Sequence, residues 1–263
     1  MSVFAIKLAA MLAMLIDHCA YVLDPPHYFL LRCIGRIAFP LYCFLIVNGL
    51  EHTHDRRRYL ARMLIFAAIS QLPFAMAFYP GESVLTGLNV FFTLAAGLAF
   101  SMLYASRSER DGKWYAFAAV TLLYAIAVLP NSDYGFGGAA LIFLLYICRQ
   151  KRAIQIAALW LWCLWQYAFE LGSWAMCAFA AAAAIPMLLY NGRRGPGLKW
   201  LFYGFYPTHL LILGLYACGI WPCAASCGRR IRPNARNIRT RRWPEYRKIS
   251  QGGCWRCRWA RAY

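Results

Sequence analysis

Nine apolar runs follow one another along this chain, roughly at 3–23, 29–50, 59–79, 87–104, 114–130, 134–148, 153–170, 172–190 and 199–221. Most are about 17–22 residues long, the length a helix needs to cross a hydrocarbon core of about 30 Å at 1.5 Å per residue. Hydrocarbon offers the backbone no water, so each run is predicted to be helical. The fifth, sixth and seventh are short, and one of them is expected to be tilted, broken or re-entrant. Charged residues make up 14% of the chain and hydrophobic ones 62%, whereas soluble domains are about a quarter charged. The fold class expected is therefore all-α, a polytopic transmembrane helix bundle of about nine spans (eight to ten). The first run does not read as a signal peptide. It is long, has one early cation (Lys7), and holds Asp17 and His18 where such a segment should be apolar.

Charge gives the runs a direction. Arg56, Arg57, Arg58 and Arg62 lie in or beside the loop after span two; Arg107, Arg110 and Lys113 follow span four. Arg149, Lys151 and Arg152 follow span six, and Arg193, Arg194 and Lys199 follow span eight. The loops after spans one, three, five and seven have no Lys or Arg. Basic residues stay on the cytoplasmic side, so the N-terminus and the even loops are expected inside. Only Arg32 and Arg36, in or beside span two, break the pattern.

A second break lies at the C-terminal end. Residues 228–263 carry twelve Lys/Arg against one acid, Glu245, yet an odd span count would put them outside. The chain therefore divides into a membrane domain, 1–221, and a basic Arg/Cys/Trp-rich tail, 222–263. Three readings compete for the tail: a non-native sequence from a shifted or truncated reading frame, a basic arm for anionic lipid or nucleic acid, or a small zinc knuckle on Cys223, Cys227, Cys254 and Cys257. Nucleic acid is not expected as a partner of the rest of the chain. The remaining cysteines lie in or at the edges of apolar runs, where they read as small buried hydrophobes.

An ionisable residue in hydrocarbon is costly and is usually paired or functional. The polar residues placed inside the runs are therefore the candidate site. Asp17 and His18 sit near the outer end of span one, as an interfacial pair or as a general base with its carboxylate. Successive helical residues point about 100° apart, so Asp17 is free to pair with another helix. Arg36 stays ionised when buried and needs an anion, for which Asp17 is the candidate. Pro40, in the same run, removes a backbone bond. Asn89, Asp133 and Tyr134 fall near outer ends of runs, Gln71 precedes Pro73, and Tyr206 and His209 flank Pro207 near mid-membrane. Glu51-His52-Thr53-His54 reads as a solvated helix end; two histidines at i, i+2 do not share a helix face, and no metal is expected. The glycine-rich basic loop YNGRRGPGLK offers anion-binding backbone beside Arg193, Arg194 and Lys199. No P-loop, G-x-G-x-x-G, H-E-x-x-H or G-x-S-x-G pattern occurs.

The segments LAAMLAMLIDHCAYVL, LRCIGRIAFPLYCFLIVNGLEHT, RYLARMLIFAAISQLPFAMAF, LNVFFTLAAGLA, NSDYGFGGAALI and YNGRRGPGLKWLFYGFYPTHLLIL, in this order from about residue 5 to 217, resemble the TraX family, whose named member acetylates the N-terminus of conjugative F-pilin. More distantly the chain is similar to integral membrane acyltransferases that acetylate surface polysaccharides and place an essential histidine near the end of the first span; His18 holds the matching position. The resemblance does not extend to the tail. It implies an inner-membrane, multi-pass acetyltransferase with acetyl-CoA as co-substrate. It also implies an acceptor at the outer face, a pilin-like N-terminus or a cell-surface glycan. In that reading His18 is the base and Asp17 orients or charge-stabilises it. Arg36 stabilises an oxyanion or holds Asp17. Asn89, Asp133, Tyr134, Tyr206 and His209 line the cavity, and Arg193, Arg194 and Lys199 receive the CoA phosphates. A transporter or channel, and a non-catalytic assembly factor for a pilus or secretion machine, are the competing classes.

Overall fold

The computed structural model describes residues 1–106, 112–197 and 199–220. The tail, together with Arg107 and Arg110, lies outside the described residues. Each apolar run forms a helical body, and among the described residues there is no strand, only a single bridge between Leu88 and Ser132. The helices are α1 (Val3–Leu23), α2 (Tyr28–Gly35), α3 (Ala38–Glu51), α4 (Arg56–Phe78), α5 (Val90–Ala105), α6 (Gly112–Val128), α7 (Gly135–Ile147), α8 (Arg152–Cys163), α9 (Trp174–Ala181), α10 (Ala184–Leu188) and α11 (Lys199–Ala217). A 3-10 turn, Leu129–Asn131, extends α6, and a π-helical stretch, Leu164–Glu170, extends α8.

Span two is one rod, Tyr28–Glu51, broken at Arg36–Ile37. The break has a local cause: Pro40 has no N–H for the carbonyl of residue 36, and its ring crowds that carbonyl. Around the break the backbone tightens, Arg36 N–H donating to Cys33 O and Ile37 N–H to Ile34 O. Just before it α1 and α2 meet at Gly35, where a β-carbon would overlap Cβ and Oδ1 of Asp17. Glycine is needed there for close approach, as small residues are wherever helices pack in lipid.

Among the described residues four helices are long and apolar enough to cross a membrane: α1, the Tyr28–Glu51 rod, α4, and α6 with its 3-10 extension. Helices α5 and α7 have 16 and 13 residues, about 24 and 20 Å at helical rise, and fall short of a full crossing. By length and composition four helices qualify, where the sequence led us to expect about nine spans. Elsewhere the runs are interrupted: α8 passes into the π-helical stretch, and the eighth run divides into α9 and α10, while the turns before α5 and α7 are tied to each other and to α4 and α5. Leu88 N–H donates to Asn131 O and Asp133 N–H to Leu88 O (2.8 and 2.9 Å). The Gln71 amide donates to Val84 O and Gly87 O, and the Thr93 hydroxyl donates to Asp133 O. Non-helical backbone at membrane depth is tolerated only where protein satisfies it in this way.

The N-terminus is tied down equally completely. Of the orphan N–H groups that open α1, those of Val3 and Phe4 donate to Arg193 O and Arg194 O and that of Ala5 to the Ser2 hydroxyl, and Ile6 N–H makes the first helical bond, to Ser2 O. The main apolar core runs through α3, α5, α7 and α8, with Leu41, Leu98, Leu141, Ile142, Leu145 and Leu159 fully buried. A smaller one joins α1, α4 and α11 through Met14, Phe74, Tyr206 and Leu210. The candidate site lies where α1 meets both.

Candidate functional site

Asp17 is buried, and its carboxylate is clamped between two guanidiniums. Arg32 Nη1 donates to Oδ2 (2.7 Å), and Arg36 Nη2 reaches Oδ1 and Oδ2 (2.6 and 2.7 Å). Residues 32 and 36 are one helical turn apart, on either side of the rod's tightened turn, and both point at α1. Arg36 also donates from Nε to Arg32 O (3.3 Å) and from Nη1 to the Tyr134 hydroxyl (3.2 Å). The Tyr134 hydroxyl takes a second bond from Tyr167, at 3.4 Å. Tyr134 itself sits at φ 60°, a left-handed conformation rare for a bulky residue. Its ring is held flat against Phe39, with centroids 3.6 Å apart, and its hydroxyl by Arg36.

His18 faces a different partner from the one expected. Both Asp17 oxygens are engaged by arginine, and the ring nitrogen Nδ1 of His18 lies 2.8 Å from Nε2 of His209 on α11. His209 Nδ1 is in turn 2.8 Å from Phe205 O, one helical turn back. The imidazole planes differ by 12° and their centroids are 5.1 Å apart. That separation is what a 2.8 Å N···N bond leaves when both nitrogens lie between the ring centres. The rings are thus joined edge to edge, in a common plane. Phe78 meets His18 edge-on, and Phe205 lies against His209.

A cavity of about 60 Å³ opens among these groups. Its lining includes Asp17, His18, Arg32, Arg36, Asp133 and Tyr134, with the rings of Tyr21, Tyr42, Phe78 and Tyr79 around them. A water needs on the order of 10–15 Å³ on this measure, so the space takes a few waters or one small polar group the size of an acetyl.

The structure therefore brings His18, Asp17, Arg36, Asp133 and Tyr134 together around one cavity. Tyr206 and His209 stand behind His18, Tyr206 with its ring 6.2 Å from that of His18, and are not in the lining. Asn89 is elsewhere. It caps α5, its Oδ1 accepting from Phe91 N–H, and its amide donates to Ala67 O and Gln71 Oε1, a buried structural bracket. Arg193 and Arg194 lie at the opposite end of α1 with exposed side chains, their carbonyls capping that helix, and Lys199 is the first residue of α11. Among the described residues no group of three His, Cys, Asp or Glu gathers to hold a metal. His52 Nδ1 is spent on Asn48 O.

Two contributors were given no role by the sequence, although Arg32 was already set apart with Arg36. Arg32 was visible as a cation outside the charge pattern, four residues before Arg36, and that spacing on one helix face was a usable signal. Tyr167 lies within an apolar run and gave none.

An all-helical bundle with spanning helices and a histidine, an aspartate and two arginines gathered beneath its surface defines a polytopic membrane protein with a built polar site. The family model of the TraX protein matches residues 2–217, and the chain belongs to that family. It is also 33% identical over 239 residues, covering 81% of this chain and 94% of the other, to the probable fimbrial assembly protein FimC, serogroup H1, of Dichelobacter nodosus. No solved structure matches the chain.

Proposed function

We propose that this protein is an inner-membrane acetyltransferase of pilus biogenesis, moving an acetyl group from acetyl-CoA to the N-terminus of a pilin-like protein at the outer face. The observation that carries the proposal is His18. It is a histidine in the wall of an acetyl-sized cavity, oriented by a second histidine and set beside two guanidiniums. TraX family membership and the relative named as a fimbrial assembly protein support the pilus setting.

In this reading His18 removes a proton from the acceptor amine as its nitrogen attacks the thioester carbonyl. The C–S bond then breaks, and the departing CoA thiolate takes its proton from His18. Arg32 and Arg36 supply a fixed positive field for the oxyanion, while Asp17 holds both in place. Arg193, Arg194 and Lys199 receive the CoA phosphates on the basic end. From Phe4 to His18 is about 21 Å along α1 at helical rise, so the pantetheine arm enters from that end and the acceptor from the other.

The test is acetyl-labelled CoA added to membranes containing the protein and a candidate pilin. Label moves to the pilin N-terminus with the native chain, and His18→Ala at equal abundance lowers the rate by roughly 10²–10⁴-fold, the usual worth of a general base. Undiminished transfer in that variant overturns the role of His18. The name of the fimbrial relative also fits an assembly factor without catalysis. Pili assembled normally by His18→Ala, with no transfer by the native protein, would favour that second reading.

A further inference from the structure

We propose that His209 is a positioning residue that sets the tautomer of His18, keeping the proton on Nδ1 and leaving the Nε2 lone pair as the base. The tautomer follows from geometry alone; only its kinetic consequence rests on the acetyltransfer reading.

The chain of inference starts at a group whose role is fixed. The Phe205 carbonyl can only accept, and His209 Nδ1 lies 2.8 Å from it, so Nδ1 carries a proton. A neutral imidazole has one N–H, which leaves His209 Nε2 as a bare acceptor. His18 Nδ1 is 2.8 Å from that nitrogen, in the plane of both rings, and so it is the donor. His18 in turn has no second proton, and its Nε2 keeps a lone pair. The hydrogen bond made by one ring nitrogen thus decides the state of the other, through two rings in series. The reverse order needs a doubly protonated His209. That would add a third cation to a site where Arg32 and Arg36 already stand with Asp17 and Asp133, among the rings of Phe78, Phe205 and Tyr206. A further buried charge there is costly.

The arrangement also does something during transfer. When His18 Nε2 takes the acceptor proton, the proton on Nδ1 can cross to His209 Nε2, and the positive charge is shared between two rings. It returns as His18 reprotonates the leaving thiolate. An aspartate does this orienting work in many hydrolytic triads; here Asp17 is occupied by arginine, and a helix carbonyl with a second histidine takes its place.

The experiment is ¹⁵N NMR of the full chain, labelled at histidine, in nanodiscs at neutral pH. The pair identifies itself by coupling between two imidazole nitrogens across one N–H···N bond. A protonated Nδ1 and bare Nε2 on one ring, bonded to the bare Nε2 of the other, is the expected result. A His18 protonated at Nε2, or a charged imidazole in the pair, overturns the proposal whether or not the protein transfers acetyl groups. For kinetics, His209→Phe is expected to lower kcat roughly 10²–10⁴-fold with little change in KM. His209→Gln, whose amide oxygen falls near the place of Nε2, recovers part of that loss. Equal kcat in the two variants, or no loss in either at normal abundance, overturns the positioning role. Absence of transfer by the native protein overturns the acetyltransfer reading and leaves the NMR result to stand alone.

Discussion

One carboxylate holds two buried arginines, and the three side chains are not equivalent. Asp17 accepts from both; Arg36 reaches both carboxylate oxygens through Nη2 and Tyr134 through Nη1, whereas Arg32 donates to one oxygen. Removing a member of a buried ion pair strands the partner's charge and typically costs about 3–5 kcal/mol. Asp17→Ala strands two cations and is expected to be the most damaging change in the site. Arg36→Met should follow, and Arg32→Met, which leaves the Arg36–Asp17 pair intact, should be mildest. Thermal unfolding in detergent, read alongside abundance in membranes, gives the order directly; an Arg32→Met protein less stable than Arg36→Met would contradict it. Asp17, His18 and Arg36 were legible in the sequence because ionisable groups in apolar runs are rare. Their pairing was legible only in part. Adjacency invited a link between Asp17 and His18, but the helix turns them apart. The true partner of His18 is 191 residues away, beyond the reach of any local pattern.

At the scale of elements, the short helices α5 and α7 depend on a folded loop, and Gln71 on α4 is its bracket. Its Nε2 donates to Val84 O and Gly87 O (2.6 and 2.7 Å), and its Oε1 accepts from the backbone and side-chain N–H of Asn89 (3.1 and 2.9 Å). Gln71→Leu keeps the volume and loses all four bonds; the Val84 carbonyl can turn to solvent and the Asn89 amide keeps Ala67 O, but the buried Gly87 carbonyl and Asn89 N–H lose their Gln71 partner. Each unmet buried group costs about 1–3 kcal/mol, so a loss of about 2–6 kcal/mol is expected for the two, seen as a lower unfolding temperature and faster proteolysis between residues 80 and 89. A Gln71→Leu protein as stable as the native one would show that the loop is not held there. The sequence marked both Gln71 and Asn89 as polar groups in apolar surroundings, and that much was correct. Whether a buried amide serves a ligand or a neighbouring backbone depends on which carbonyls the fold brings up to it, and no residue pattern encodes that. Element existence was legible throughout, because apolar runs of this length have only helix available to them. Helix lengths were not, since a run does not show where its helix is interrupted: Leu88 and Asn89 go to the turn and cap before α5, the seventh run changes to a π-helical stretch, and the eighth divides into α9 and α10.

For the whole molecule, the parity of the bundle is firmer than its span count. Met1 to Phe4 hydrogen-bond with Leu189 to Arg194. Glu51 at the end of α3 pairs with Arg149 after α7 at 3.2 Å, and the Arg152 guanidinium lies over the rings of Phe44 and Tyr190. The N-terminus and the loops after spans two, six and eight therefore share one end, and the loops after spans three and five meet at Leu88–Asn131. The helices between run out and back whether or not each short one reaches through the bilayer alone. Arg32 and Arg36, the two cations that broke the charge pattern, are accounted for by Asp17 rather than by topology. With the basic end placed in the cytoplasm, fusions to green fluorescent protein after His54, Lys151 and Asn191 should fluoresce, and alkaline phosphatase fusions there should be inactive. Fusions after Glu82 and Asn131 should do the opposite. Helix α11 starts at the basic end and runs through to Ala217, so a phosphatase fusion after Gly219 should also be active. Phosphatase activity after Lys151, or fluorescence after Glu82, would break the out-and-back parity. Fluorescence after Gly219 with the other fusions as expected would mean that α11 turns back before crossing.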